Sequence, residues 1–379
     1  MPPVDSRAPL ILVATGTSNH YVRGIMAGIR DYVRDHEPWE LLHIGPYTHT
    51  RNQTALSRDH DGVIGLGPHL QRLDVPLINV ADRALPGVPR VYVNDEKVAE
   101  LAAQHLLGNG WVRASYVGPL DSPRWRGLSR HMTAGGASVL PPLDWSKQGD
   151  LHWAKRHRRL CDWLEQLPPN TAVLAYTDNI GAEVLEAAHA IERPVPDDLA
   201  LIGVNDDLLV CEFVSPPLSS IALPVHRVGY EAAAMLDRFL AGHPPADPTL
   251  LIDPIGLVPR RSTQHQAVQD PQLRHAMQHI VDNLAEPLTL DDLAAAAALS
   301  PRSLQRRFQK VLGRSPSDEI RRVRVETAKR LLIETQMSLA EIAAATGYLY
   351  TTHLSKQLKK FLGCSPMAYR KRYRSRHQG

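Results

Sequence analysis

The sequence predicts a two-lobed α/β region over residues 1–259, a linker at 260–270, and an all-α region at 271–379 with two helix-turn-helix units. Three observations predict it. Short apolar, β-rich runs alternate with amphipathic helical stretches from Leu10 to Pro259. Strand character vanishes after Pro271. The last hundred or so residues repeat themselves at an offset of 50.

In the first region the strand candidates are LILVAT (10–15), WELLHI (39–44), GVIGLG (62–67), PLINVA (76–81), ASYVG (114–118), AVLAYT (172–177) and LALIGV (199–204). Helical stretches lie between them at 22–33, 97–107, 152–167, 180–190 and 228–240. Apolar strands separated by helices imply βαβ units and parallel sheets, and seven or more strands suggest two lobes. The segment RRSTQHQAVQD (260–270) is polar, without apolar periodicity, and reads as the linker.

The chain of 379 residues is too long for one ordinary domain, and 43% hydrophobic with 22% charged residues describes a globular protein. No apolar run approaches the roughly 18 residues of a membrane span, and the start lacks a basic, cleavable leader. A cytoplasmic protein is expected, with no membrane partner. Cys161, Cys211 and Cys364 form neither a disulfide framework nor a metal cluster and read as small buried hydrophobes. The net charge of +3 conceals a division: residues 271–379 carry 19 Lys+Arg against 9 Asp+Glu, leaving 24 against 31 in residues 1–270. Such asymmetry points to a nucleic-acid-binding part attached to something else.

The repeat shows how. SPRSLQRRFQKVLGRSP (300–316) aligns with YTTHLSKQLKKFLGCSP (350–366), matching Leu304 with Leu354, Phe308 with Leu358 and Ser315-Pro316 with Ser365-Pro366. Upstream, TLDDLAAAA (289–297) matches SLAEIAAAT (338–346). Each half reads as a short helix, a tight turn and a second helix. Ser338 and Glu341 have capping-box form, with Thr289 and Asp292 as counterpart. Ser300-Pro301 opens a helix, and Gly313 and Gly363 sit at C-caps. A helix over 317–334 spaces the units, for placement about one duplex turn (~34 Å) apart.

On the second helix of each unit, Leu304, Phe308, Val311 and Leu312, and then Leu354, Leu358, Phe361 and Leu362, form the faces expected to be buried. Arg302, Gln305, Arg306 and Gln309 share the opposite face of the first, as Thr352, Ser355, Lys356 and Lys359 do in the second. Forked Arg and Gln donors match guanine and adenine edges in the major groove. The lysines and the tail residues Arg370, Lys371, Arg372 and Arg374 suit phosphates.

RVETAKRLL (324–332), SLAEIAAATGY (338–348) and KKFLGCSPMAYRKR (359–372) resemble the AraC/XylS family of bacterial transcription regulators over essentially all of 271–374. The resemblance implies base reading by Arg302, Gln305 and Arg306 in the first unit, and by Thr351, Thr352 and Lys356 in the second. One departure is visible: family members follow the glycine with Phe and place a small polar residue at the helix entry. Here Gly347 precedes Tyr348-Leu349-Tyr350, and Leu358 replaces a later aromatic.

In the α/β region, polar residues recur after strands: Ser18-Asn19, Asn94-Asp95, Asp121 with Arg124, Thr177-Asp178-Asn179 and Asn205-Asp206-Asp207. Two-lobed sheets bind ligands at the carboxyl ends of their strands, and such groups suit vicinal hydroxyls. Each taken alone reads equally as a turn former or N-cap. The stretches at 172–207 and 216–236, with RWRG (124–127), resemble LacI/GalR effector domains and periplasmic sugar-binding proteins. That resemblance implies a sugar site using Arg124, Asp178 and Asn205, the last replacing the family's usual Asp. An effector domain of this kind ahead of an AraC-type reader implies an activator of pentose-catabolism genes. Its expected partners are xylose or a related aldose, operator DNA, RNA polymerase and a second copy of the chain.

The rival class is an enzyme using Asp178, Asp206 and Asp207. No nucleophile elbow, phosphate loop or metal spacing accompanies them, so no catalytic residue, cofactor or metal is expected. A further alternative is a DNA-binding protein whose N-terminal region only dimerises.

Overall fold

The computed structural model describes residues 7–15, 19–36, 38–44, 59–146, 152–263, 270–335, 337–362 and 365–374. In chain order the first lobe opens with β1 (Leu10–Ala14), α1 (His20–Asp35), β2 (Glu40–His43), β3 (Gly62–Gly65), β4 (Leu77–Asn79) and β5 (Arg90–Val93). The chain then crosses to α2 (Asp95–Gly108), β6 (Arg113–Gly118), α3 (Pro123–Ala134), β7 (Ser138–Val139), β8 (Leu143–Asp144), α4 (Trp153–Gln166) and β9 (Thr171–Ala175). It continues through α5 (Asp178–Ala190), β10 (Leu199–Asn205), α6 (Leu208–Phe213) and β11 (Ser219–Ala222). Helix α7 (Val225–Leu240) and β12 (Thr249–Ile252) return to the first lobe, and β13 (Gly256–Val258) closes the second.

Two separate sheets result. The first has strand order β12-β5-β4-β3-β1-β2 and is wholly parallel. The second runs β13-β11-β10-β9-β6-β7 with β8 also on β6, and only β13 is antiparallel. Helices cover both faces of a parallel sheet, so its strands can be apolar throughout, as the fully buried β3, β9 and β11 are. Helices α1 and α7 cross closely in the first lobe. A Cβ on Gly28 would strike the backbone of His226, and one on Gly229 the backbone of Ile25. Three connections join the lobes: β5 to α2, β11 to α7, and β12 to β13. They are tied where they meet: Asn94 donates from its backbone to Ile252 O (2.9 Å) and from Nδ2 to Asp253 Oδ1 (2.9 Å). Ile255 N donates to Ala222 O (2.9 Å).

The helical region comprises α8 (Pro271–Asp282), α9 (Leu290–Ala296), α10 (Pro301–Leu312), α11 (Pro316–Glu334), α12 (Leu339–Ala345), α13 (Thr351–Leu362) and α14 (Pro366–Arg374). Helices α9–α10 and α12–α13 are the two expected units. Both capping boxes form, Thr289 with Asp292 and Ser338 with Glu341, and Ser300 caps α10 ahead of Pro301. Gly313 ends α10 at φ +67°, a left-handed conformation that favours glycine. Gly363 and Cys364 lie outside the described residues.

Each unit has its own core. Leu304 and Phe308 pack with Leu273, Ile280 and Leu293 in the first; Leu354 and Leu358 pack with Val325, Leu332 and Ile342 in the second. Helix α11 serves both, giving Ile320 and Val323 to the first core and Val325, Ala328 and Leu332 to the second. Its 19 residues span about 28 Å.

Several expectations are corrected. Val311 is exposed rather than buried, at the last turn of α10, which ends one residue later. Strands β5, β7, β8, β11, β12 and β13 and helices α3 and α6 escaped the sequence reading, the strands because each runs only two to four residues. The expected linker starts inside the second lobe. Arg260, Ser262 and Thr263 are buried there, and Ser262 Oγ donates to Leu201 O at 2.6 Å. Residues 264–269 of it are outside the described residues. The side chains of Phe361, Leu362, Lys371, Arg372 and Arg374 are likewise not described.

Candidate functional site

The carboxyl ends of the strands meet at the crossing between lobes, and there a buried polar cluster is centred on Arg124. Pro123 and Arg124 begin α3, capped by Ser122. The guanidinium is 2% exposed. It donates to Asp95 Oδ1 from Nε (3.1 Å) and Nη2 (2.6 Å), and to Tyr176 O from Nη1 (2.5 Å). It also stacks over the Tyr176 ring at 4.4 Å. Burial is the largest influence and opposes its charge, but the Asp95 carboxylate together with Tyr92, Tyr176 and Tyr116 outweighs it, so the proton is held more tightly than usual. Asp95 opens α2 and Tyr176 follows β9, so three elements converge on one fork. The Tyr176 hydroxyl in turn donates to Asp82 of the first lobe, a bond that spans the cleft. Tyr21 and Tyr92 stand on the first-lobe side with ring centroids 6.1 Å apart, and Tyr21 donates to Val80 O (3.1 Å). Burial pushes the Tyr21, Tyr92 and Tyr176 hydroxyls above their ordinary pKa, so they stay protonated donors. Aromatic walls around fixed charges are the chemistry of a sugar pocket, since rings stack on C–H faces and charges pair with hydroxyls.

Asp178 and Asn205 belong to a neighbouring network. Asp178 is buried, and both of its carboxylate oxygens are taken: Ser220 Oγ donates to Oδ1 (2.5 Å) and Asp207 N to Oδ2 (2.8 Å). Burial raises its pKa to about 7, with the two donors pulling the other way. Its place is therefore to shape the loop after β10. In that loop Asn205 (φ +120°) and Asp206 (φ +55°) adopt left-handed backbone conformations, and Asp206 pairs with buried Arg260 at 2.8 Å. Asn205 is half-buried. Other strand-end polar residues prove to be caps: Asn19 for α1, Asn94 for α2 and Thr177 for α5. Asp121 is exposed and Ser18 is outside the described residues.

On the helical region, Arg302, Gln305, Arg306, Gln309 and Lys310 are exposed on α10, opposite buried Leu304 and Phe308. Arg307, between them in sequence, turns inward to pair with Asp270 at 2.5 Å. On α13, Thr352, His353, Lys356, Lys359 and Lys360 are exposed and Thr351 half-buried. Both second helices thus present a polar or basic face outward, as entry into a major groove requires.

A periplasmic binding protein-like domain matches residues 103–263, and a helix-turn-helix domain matches residues 293–372. The xylose operon regulatory protein of Escherichia coli (strain K12) is 27% identical over 372 residues, covering 92% of this chain and 94% of that protein. The chain joins a periplasmic binding protein-like domain to a helix-turn-helix domain of the AraC type. The regulator is also 30% identical over 236 residues to the HTH-type transcriptional regulator CelR of Thermobifida fusca, covering 56% of this chain and 67% of CelR. The solved structure of a xylose-binding transcription activator superposes with a TM-score of 0.59 at 25% identity, covering 97% of the regulator and 99% of that chain. Its relatives are DNA-binding regulators, not enzymes.

The two parts of the regulator touch through helix α2. Its first residue is Asp95 in the cleft, and its last, Gly108, accepts a hydrogen bond at 2.5 Å from Arg314, just past α10. Arg314 also binds buried Glu319 (2.5 Å), which Arg322 holds from the other side (2.8 Å). His105 of α2 meets Thr263 Oγ1 at 2.8 Å, near Glu326, Lys329 and Arg322 of α11. Burial lowers its pKa to about 4. Ala222 and Val258 of the second sheet join the core of the second unit. Sequence reasoning noted Asp95 only as a strand-end residue and missed Tyr176, Asp82 and Arg314. For Tyr176 the available signal was its place directly after an apolar strand.

Proposed function

We propose that the regulator is a transcription activator that binds xylose or a related aldose in the cleft around Arg124, and that this binding moves the DNA-reading units. Arg124, with Asn205 at the rim, makes the sugar contacts, and Asp178 supports them by holding the Asn205 loop. Arg302, Gln305 and Arg306, then Thr351, Thr352 and Lys356, read bases. The active form is a homodimer in the cytoplasm that recruits RNA polymerase.

One observation carries the coupling. Helix α2, 14 residues and about 21 Å long, has one end on the Arg124 fork and the other on Arg314. A sugar hydroxyl that competes for Arg124 or Asp95, or that closes the lobes across the Tyr176–Asp82 bond, displaces the start of a stiff rod. Its far end bears on the reader region. The sugar shifts DNA affinity only by its differential affinity for the two arrangements, typically 1–3 kcal/mol. Calorimetric titration of the full chain with xylose, arabinose, ribose and glucose tests the reading. One aldose is expected to bind, and Arg124→Met is expected to abolish that binding. Equal binding by wild type and Arg124→Met, or no binding of any aldose, contradicts it.

A further inference from the structure

The turn that leads into α13 departs from its counterpart in a way the fold does not need. In the first unit Ser300 precedes Pro301 and accepts a hydrogen bond from Ser303 N at 3.3 Å, a regular polar cap. In the second, Gly347 (φ +68°) turns the chain and Tyr348 folds inward. Its N–H reaches Ala343 O at 2.9 Å and its ring packs on the second core, with the Arg324 guanidinium 5.9 Å from its centroid. The next two residues go the other way. Leu349 is 92% exposed and Tyr350 69% exposed. Tyr350 O accepts from Leu354 N (3.3 Å) and His353 N (3.1 Å), so Tyr350 occupies the entry position of the helix. Ser, Thr, Asp or Asn there would satisfy a free N–H of the first turn, whereas a phenol is too long to bend back to it. Leu349 buries almost none of its side chain and Tyr350 only a minor part, so both present apolar surface to water.

What covers them follows from their neighbours. Helix α13, TTHLSKQLKKFL, carries three lysines and no acidic residue, and its exposed Thr352, His353 and Lys356 lie within six residues of Tyr350. The occupant is a polyanion reached at the leading end of a recognition helix, where base edges are contacted. An apolar side chain has one specific partner in the major groove, the thymine 5-methyl group. We propose that Leu349 and Tyr350 form an apolar reading edge of the second unit that selects thymine. Leu349 covers the methyl group, and Tyr350 packs beside it with its hydroxyl placed to donate to a phosphate oxygen. The two units then read by different chemistry: forked polar groups at Arg302, Gln305 and Arg306 in the first, methyl contact in the second. This inference rests on the DNA-reading assignment of α13.

The full-length protein is used to select sites from a duplex library with a randomised centre, with and without xylose. The best duplex is then remade with deoxyuridine at each thymine in turn, which removes only the methyl group. Affinities are read by fluorescence anisotropy for wild type, Leu349→Ala and Tyr350→Ala, with Arg306→Ala as a control aimed at the first half-site. For wild type, deoxyuridine at one or two thymines of the second half-site is expected to weaken binding about fourfold each, the value of one methyl-sized group. Leu349→Ala is expected to weaken the parent duplex by a similar factor and to lose that sensitivity, while Arg306→Ala keeps it. Both replaced side chains are exposed, so unchanged thermal unfolding confirms intact folding. Deoxyuridine without effect at every thymine of the second half-site, or Leu349→Ala retaining wild-type sensitivity, overturns the inference while leaving DNA reading intact. A wild-type protein that selects no sequence overturns both.

Discussion

Replacing Asp95 by Asn tests the cleft where its physics is most exacting. Arg124 and Asp95 side chains are only 2% and 4% exposed, and the guanidinium puts two of its donors on one carboxylate oxygen. Water cannot take over either charge. Removing one member of such a pair leaves the other buried and uncompensated, at a cost of about 3–5 kcal/mol. A neutral amide at position 95 still offers one acceptor, so the lower end, about 3 kcal/mol, is expected for Asp95→Asn and the upper end for Asp95→Ala. Replacing both, as Arg124→Met with Asp95→Leu, removes the stranded charge and is expected to recover most of the loss, yet to bind no sugar. Urea unfolding followed by circular dichroism gives the numbers. The first transition is analysed separately, because a chain with several cores need not unfold in one step. Losses below about 1 kcal/mol for both single variants, or a double variant as unstable as the worse single, would refute the claim that this pair is buried and mutually dependent.

Other expectations follow from the same structure. Phe308 is fully buried in the core of the first unit, and Phe308→Ala is expected to cost about 3–5 kcal/mol in reader-region stability, measured by thermal unfolding. Arg306→Ala is expected to cost about 1–3 kcal/mol and relax base preference at one position; Lys359→Ala should weaken all sequences alike and lower the salt slope by about 1. His105 has its pKa lowered by burial to about 4, below the roughly 6.5 of an unfolded chain, so the unfolded state takes up a proton first on acidification. Its contribution is complete above pH ~6.5 and falls as the pH drops toward 4. His105→Gln is expected to flatten that part of the stability–pH curve, and an unchanged slope would argue against the assignment.

The sequence was most legible where structure is local. Capping boxes at Thr289 and Ser338, Pro301 at a first helical turn and Gly313 at a C-cap each act within four residues, so a linear reading finds them. The Arg124 fork is different in kind. Its partners lie 29 and 52 residues away and meet only because two sheets bring their strand ends together. Asp178 illustrates the limit from the other side. Family resemblance picked out the position, but its carboxylate holds Ser220 and Asp207, partners 42 and 29 residues distant that no local pattern discloses. Arg260 to Thr263 read as linker by polarity, yet Arg260, Ser262 and Thr263 are buried inside the second lobe, where Ser219, Leu201 and Asp206 pair with Arg260 and Ser262. Polarity marks a linker only when nothing internal pairs with it.

The central claim is that the cleft and the DNA readers communicate through α2, and Arg314→Ala addresses it most directly. The variant removes the bond to Gly108 O and one of the two arginines on Glu319, while Arg322 keeps that carboxylate paired. DNA affinity of the full chain is measured by anisotropy with and without saturating sugar, and sugar affinity by calorimetry. The account expects sugar affinity within about twofold of wild type and a sugar-induced change in DNA affinity that collapses from the usual range of roughly 5–150-fold toward unity. An Arg314→Ala protein whose DNA binding responds to sugar as fully as the wild type would contradict it.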